Sequence, residues 1–385
     1  MNRVRLFQVI ASSTVGGAEE MFAALLRGLD RDRFEVSVAC HGRDELYDEY
    51  ARHADRISSL DLTRLARPST VLRLARLMRE TRADIVHTHL WTADTLGGLA
   101  ARLAGVTATV ATVTGAYHLP IGVTGLRKLG RVAKSRAYRA IYRLFDRVIT
   151  CSEYVANDLR DRAGVRVSPA KIDVVHNGVD PASVERAAQA GRLDPSWLQG
   201  SPIIATVANF YPIKGHAPLI RAMPRVIERF PQARFVLVGD GPSRGEMEAL
   251  VDSLGIRSHV VFTGRVPCGP GVIAASDLMV MPSISEGLGV VLLEALVLGT
   301  PVVATRTGGI PEVVGDDEVG LLAPPGDSDA LAQAIVRALG QPDETRRRAQ
   351  RGRQLVRERF TVEAMVRQTE QVYLGLMNGR YGGES

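Results

Sequence analysis

Read by the spacing of apolar and polar positions, the chain alternates two periods along almost its whole length. Short runs such as Val4 to Ile10, ADIVH at 83–87 and TATVATV at 107–113 are nearly continuous in β-branched and aliphatic residues, the pattern of strands covered on both faces. Between them lie longer stretches with a helical period, from Ala18 to Leu29, Ser69 to Thr81 and Ala93 to Ala104. Strand, helix, strand in that order predicts parallel β-α-β units, so the first half reads as a doubly wound sheet closing with DRVITCS and a helix from Glu153. At 180–201 the apolar strands stop and Pro, Gly, Ala and Asp accumulate. The alternation then restarts: strand Ile203 to Ala208, helix Ala217 to Arg229, strand ARFVLVG, helix Arg244 to Leu254, strand HVVFTG, strand DLMVM, a helix within VVLLEALVLG, strand PVVAT, a strand near Val319 to Leu322 and a helix from Asp329.

The expected organisation is two α/β domains, 1–180 and 202–360, joined by a linker at 181–201, with 361–385 a helix crossing back to the first domain. Ligands of open α/β sheets bind beyond the carboxyl ends of the strands, which places the expected site in a cleft between the two sheets. A length of 385 residues fits two domains.

Charge changes the picture in one place only. The formal net charge is +6, and between Leu126 and Arg147 there are eight Lys or Arg against one Asp. Leu126, Leu129, Val132, Ala133, Ala137, Ile141 and Leu144 recur there near helical spacing, so 126–147 reads as a basic amphipathic helix. It either packs its stripe on its own domain or docks on an anionic membrane surface. Nucleic acid is set aside, because no binding motif accompanies the basic run. Cys40, Cys151 and Cys268 are scattered without metal-ligand spacing, which argues against a zinc site or a disulfide framework. No apolar run reaches spanning length, and the expected location is cytoplasmic.

The richest stretch is 282–312, PSISEGLGVVLLEALVLGTPVVATRTGGIPE. A strand precedes it, a glycine-bearing loop leads into a helix start, and a second strand ends in Thr307-Gly308-Gly309. Backbone N–H groups with a helix dipole behind them make an anion site, with phosphate the obvious anion. Glu286 on the loop and Glu294 in the helix flank it with acceptors suited to hydroxyl donors, rather than forming the acid and nucleophile of a glycosidase. Val207 to Gly215 repeats the strand, loop and helix-start arrangement, and Lys214 stands where a cation opposes the helix dipole, so it more plausibly serves an anion. Gly16-Gly17-Ala18-Glu19 has the same setting after the first strand, but it is neither GxGxxG nor a P-loop, and a tight turn explains it equally well. His118 follows a strand end in TVTGAYHLP, where it could donate to a substrate hydroxyl or steer a proton. His87 and His89 are read as pointing opposite ways from their strand, without a third metal ligand. Asn177-Gly178 suits a sharp reversal or hinge.

Taken together these residues resemble the retaining glycosyltransferases of the GT-B fold, family 4. The most specific part is Glu286 to Glu294, an E-x7-E spacing; GGAE at 16–19, VVHNGVD at 174–180, KGH at 214–216, VGDGPSR at 238–244 and VVFTGRV at 260–266 support it. The resemblance implies two Rossmann-like domains and transfer of a sugar from a nucleoside-diphosphate sugar. Glu286 would bind donor-sugar hydroxyls and Glu294 the ribose. Lys214 and the amides of Gly287, Leu288, Gly289 and Val290 would hold the diphosphate. Arg265 and Val266 would border the base, His118 would approach the sugar, and Gly16 and Gly17 would allow close approach. One departure stands out: Asn209 occupies a position where the family often has Arg, leaving Arg306 or Arg265 to compensate. No metal or other cofactor is implied, and Asp30-Arg31-Asp32 lies on a helix-to-strand turn. The expected acceptor is a lipid-linked glycan in cell-surface polysaccharide assembly, with the enzyme peripheral on the inner membrane face. Alternatives are a soluble small-molecule acceptor, a nucleotide-sugar epimerase, and a binding protein without catalysis.

Overall fold

The computed structural model describes residues 3–63, 67–115, 135–162, 165–267 and 269–381. These form two units, 1–177 with 362–385 and 178–361. His118, residues 126–134 of the basic run, and Cys268 lie outside the described residues.

In the first unit the described strands are β1 (Val4–Ile10), β2 (Phe34–Cys40), β3 (Arg56–Ser59), β4 (Ile85–His89), β5 (Ala108–Val113), β6 (Arg147–Thr150) and β7 (Ile172–Val174). They lie in the order β3-β2-β1-β4-β5-β6-β7, and every pairing is parallel. The central strands β1, β4 and β5 are buried almost throughout, which is why they read as unbroken apolar runs. Helices Gly17–Gly28, Pro68–Glu80 and Trp91–Ala104 bury one stripe each against the sheet. Strand β3 escapes the sequence pattern because RISS is short, polar and at an edge, with no buried residue.

Helix Val362–Tyr381 belongs to this unit, and its Met365, Val366 and Tyr373 are buried in the same cluster as Leu6, Phe34 and Val36. Tyr373 is the middle member of a polar chain that links β1, β4 and β5. His89 Nε2 is 2.9 Å from Gln8 Oε1, Gln8 Nε2 donates to Tyr373 Oη at 3.1 Å, Tyr373 Oη is 2.6 Å from His87 Nδ1, and His87 Nε2 is 2.7 Å from Thr112 Oγ1. With both imidazoles neutral, each of these four contacts pairs one donor with one acceptor. The two histidines do not point opposite ways as the sequence suggested: residues two apart in a strand share a face, and the rings lie 4.1 Å apart. Burial drives both pKa values down, His89 to about 3.

The described end of the basic segment is helical over 135–142. Its buried stripe is Tyr138, Tyr142 and Phe145, not Ala137, which is exposed. Tyr138 packs on Trp91 with ring centroids 3.7 Å apart, and Tyr142 Oη reaches Asp94 Oδ2 at 3.5 Å. Of the predicted face, Ile141 and Leu144 pack partly buried on this cluster, while aromatic rings supply its buried centre. Asp94 is fully buried, accepts from Thr88 Oγ1 at 2.7 Å, and is pushed up by burial to about 7.

The second unit holds β8 (Ile203–Val207), β9 (Arg234–Val238), β10 (Val260–Gly264), β11 (Leu278–Met281), β12 (Val302–Thr305) and β13 (Leu321–Ala323), in the parallel order β10-β9-β8-β11-β12-β13. The stretch expected as a linker, 181–201, is instead part of this unit. Asp180 caps helix Pro181–Ala190 by accepting from Ala182 N, and Val184 buries beside Leu292 and Leu296. Trp197 and Leu198, in the 3-10 turn Pro195–Leu198, pack beside Val236 and Val238. One buried residue in a ten-residue helix leaves almost no periodic signal, so composition alone suggested a linker.

Candidate active site

Winding reverses in the second unit between β8 and β11: β8 is followed outward by β9 and β10, and β11 by β12 and β13. Loops leaving adjacent strands at such a point diverge and open a binding crevice at the carboxyl edge. Three loops meet there, 208–215 after β8, 282–289 after β11 and 306–309 after β12.

Their backbones approach closely. Ile284 N donates to Ile213 O at 2.8 Å, Gly309 N to Gly287 O at 2.9 Å, and Thr307 Oγ1 to Ile284 O at 3.0 Å. Thr305 Oγ1 holds Ser283 O at 2.5 Å. Two glycines are required by this crowding. A Cβ at Gly215 would sit 1.8 Å from Pro282 O and one at Gly308 1.8 Å from Glu286 O, and both residues have left-handed φ, +71° and +59°. The loops are thus locked to one another through main chain.

Lys214 and Glu286, 72 residues apart, meet at this lock. Lys214 Nζ donates to Glu286 Oε2 at 2.6 Å, with both side chains mostly screened from solvent at 26% and 14% exposed. Ser283 Oγ donates to the same oxygen at 3.3 Å, and Gly287 N to Oε1 at 3.3 Å. Ser283 was not singled out from the sequence; its only signal there is its place three residues before Glu286. Gly289 has φ +93° and caps helix Val290–Leu298. That helix buries Leu292, Leu293, Ala295, Leu296 and Val297, and Glu294, half-buried about one turn past its start, is its single ionisable residue.

Asn209 is half-buried beside this lock, with its carbonyl accepting from Tyr211 N at 2.8 Å. Phe210 is buried and stacks on His216, ring centroids 4.0 Å apart and 17° from parallel. Burial, aided by Lys214, lowers the His216 pKa to about 4. Neither cation considered as a substitute for arginine joins Lys214 in a contact. Arg306 Nη1 pairs with Asp316 at 2.7 Å, and Arg265 is exposed after β10. Val266 packs partly buried in the cluster of Ile203 and Val236. Arg244 pairs with Asp240 and Glu248, and its guanidinium lies 3.3 Å from where a Cβ on Gly264 would stand, directly before Arg265.

Gly16 and Gly17 belong to the first unit. Gly16 is extended and caps helix Gly17–Gly28, while a side chain on Gly17 would meet nothing within 4 Å. Among the described residues no group of three or more His, Cys, Asp or Glu is arranged to hold a metal ion, and no helix is long and apolar enough to cross a membrane.

Two parallel α/β units with the site loops on a winding reversal define the GT-B class, and comparison with solved structures agrees. Anabaena HepE, crystallised with UDP and glucose, superposes with a TM-score of 0.81 over 96% of this chain and 99% of that one, at 21% identity. The description "Glycosyl transferases group 1" matches residues 194–355, and "Glycosyltransferase Family 4" matches 15–183. Among characterised relatives, 2-deoxystreptamine glucosyltransferase of Streptomyces kanamyceticus is 32% identical over 74% of this chain and 76% of its own. The GDP-mannose-dependent alpha-(1-6)-phosphatidylinositol monomannoside mannosyltransferase of Mycolicibacterium smegmatis is 31% identical over 85% and 86%. The chain belongs to this glycosyltransferase family and is a glycosyltransferase.

Proposed function

We propose that the enzyme transfers a sugar, with retention of anomeric configuration, from a nucleoside-diphosphate sugar to an acceptor hydroxyl. The observation that carries this is the junction of Lys214 with Glu286 at the N-terminus of helix Val290–Leu298, with Glu294 about one turn into that helix. A cation and the amides of Gly287 to Val290 suit a diphosphate, and fixed donors of this kind stabilise the negative charge that develops as the bond to the anomeric carbon breaks. Glu286 suits the hydroxyls of the sugar and Glu294 those of the ribose, with Arg265 and Val266 bordering the base. No metal is required in this scheme, because Lys214 and the helix dipole carry the charge of the leaving group. Retention follows if the acceptor attacks the face that the diphosphate leaves. His118 is assigned to the donor sugar on its sequence position.

The acceptor we favour is a lipid-linked glycan at an anionic membrane surface, supported by the similarity to a mannosyltransferase acting on a phosphatidylinositol mannoside and by the basic run 126–147. A soluble aminocyclitol acceptor is the second reading, favoured by the similarity to a 2-deoxystreptamine glucosyltransferase.

A thermal-shift panel of UDP-, GDP- and ADP-sugars tests the donor, since specific binding raises stability as ligand exceeds its Kd. One sugar nucleotide should raise Tm, Glu286→Gln should abolish transfer at unchanged fold, and proton NMR of the product should show the donor's anomeric configuration. No stabilisation by any of them, or full turnover by Glu286→Gln, rejects the reading. Flotation with anionic vesicles separates the acceptors: failure to float favours the soluble one.

A further inference from the structure

The carboxylate of Glu286 already takes hydrogen bonds from two groups that the reading above assigns to the diphosphate, Lys214 Nζ at 2.6 Å and Gly287 N at 3.3 Å, with Ser283 Oγ as a third donor. Resting on that reading, we infer that Glu286 is a specificity-determining residue acting as a built-in competitor for the anion, so that the site favours a sugar-bearing nucleoside diphosphate over the bare nucleoside diphosphate.

The argument is one of charge and geometry. Lys214 and Glu286 neutralise each other, both largely shielded from water. A diphosphate arriving at Lys214 must either displace the carboxylate or stand beside it, and two like charges sharing one cation in a shielded place repel. The main chain of Glu286 cannot retreat: Gly308 leaves no room above its carbonyl, and Gly309 N holds the next carbonyl at 2.9 Å. Only the side-chain torsions are free to carry the carboxylate off Lys214. Once swung away, it loses its strongest hydrogen bond, and a shielded carboxylate without donors is costly. Hydroxyls of a donor sugar replace the lost donors. A bare nucleoside diphosphate brings none, so it binds against an uncompensated penalty. The same device speeds departure of the nucleoside diphosphate after transfer, because the carboxylate returns to Lys214 as the anion leaves.

Isothermal titration calorimetry on the full chain tests this with UDP, GDP and ADP and with UDP-glucose, GDP-mannose and ADP-glucose, at one ionic strength. In the wild type the sugar-bearing form of the matching nucleotide should bind more tightly than the bare one. In Glu286→Gln, which keeps the shape and removes the charge, the bare nucleoside diphosphate should bind about five- to tenfold more tightly than in the wild type, in line with loss of a partly shielded ion pair. The preference for the sugar-bearing form should collapse. Glu286→Ala, checked by thermal melting, should shift in the same direction. Bare nucleoside diphosphate binding that is unchanged or weaker in both variants overturns the inference and leaves the donor reading standing. A wild type that binds the bare form as tightly as the sugar-bearing form also overturns it, whatever the variants do. Absence of binding by every nucleotide, in wild type and variants alike, overturns both.

Discussion

At the scale of single residues, the site depends on where a side chain is impossible as much as on where one acts. Gly308 combines a left-handed backbone with a Cβ position 1.8 Å from a carbonyl oxygen, so neither rotation nor rotamer choice relieves a substitution. Gly308→Ala should therefore destabilise the second unit by about 3 kcal/mol, measured by urea unfolding, and it should abolish donor binding by moving Glu286. Lys214→Ala should weaken nucleoside diphosphate binding about tenfold or more, read by calorimetry, since a charge-assisted contact to phosphate is lost, and it should lower the melting temperature, because the shielded Glu286 carboxylate loses its strongest donor. Lys214 and Glu286 stood out as candidates in the sequence because glutamate in a glycine loop and lysine at a helix start break local rules. What was not legible is that Lys214 and Glu286 hold each other, which depends on two loops brought together across β8 and β11. Ser283 was invisible for the same reason. A serine next to a loop is ordinary until the loop's curvature turns its hydroxyl onto Glu286.

At the scale of elements, most strands and helices were readable because each buries a face and so repeats with a period. Those that were missed bury little: the edge strand β3 and the helix Pro181–Ala190 give the hydrophobic pattern nothing to repeat. Polar interiors were missed in a different way. A strand that reads HTH does not announce a core, yet His87 and His89 are both buried and joined to helix Val362–Tyr381 through Gln8 and Tyr373. Tyr373→Phe keeps the ring and strands two buried partners, so it should lower stability of the first unit by about 2 kcal/mol in urea unfolding. The pair also predicts acid sensitivity. Their folded-state pKa values lie below the ordinary 6.5, so the unfolded chain binds protons that the folded chain refuses, and stability is lost as pH falls from about 6.5 toward about 3. Asp94 acts from the other side. Raised from 3.8 to about 7, it holds in the folded state a proton that the unfolded chain has released, so its contribution fades as pH rises through that window. Stability curves against pH should flatten on the acid side in His89→Gln and between about pH 4 and 7 in Asp94→Asn; unaltered curves would refute the assignment.

At the scale of the whole molecule, the chain builds its first unit from two distant pieces and its second from one unbroken piece. Deleting residues 362–385 removes Met365, Val366 and Tyr373 from the first unit's core and touches none of the second unit's. Differential scanning calorimetry of that truncation should show one transition lost or shifted down by more than about 10 °C and the other retained, given the many kcal/mol in those buried side chains. This arrangement also bears on synthesis. A ribosome emits residues 1–177 long before 362, so the half made first must wait, its core open along one side, while the half made second can close on itself; a helix that emerges only after the whole second unit is the one that finishes the first.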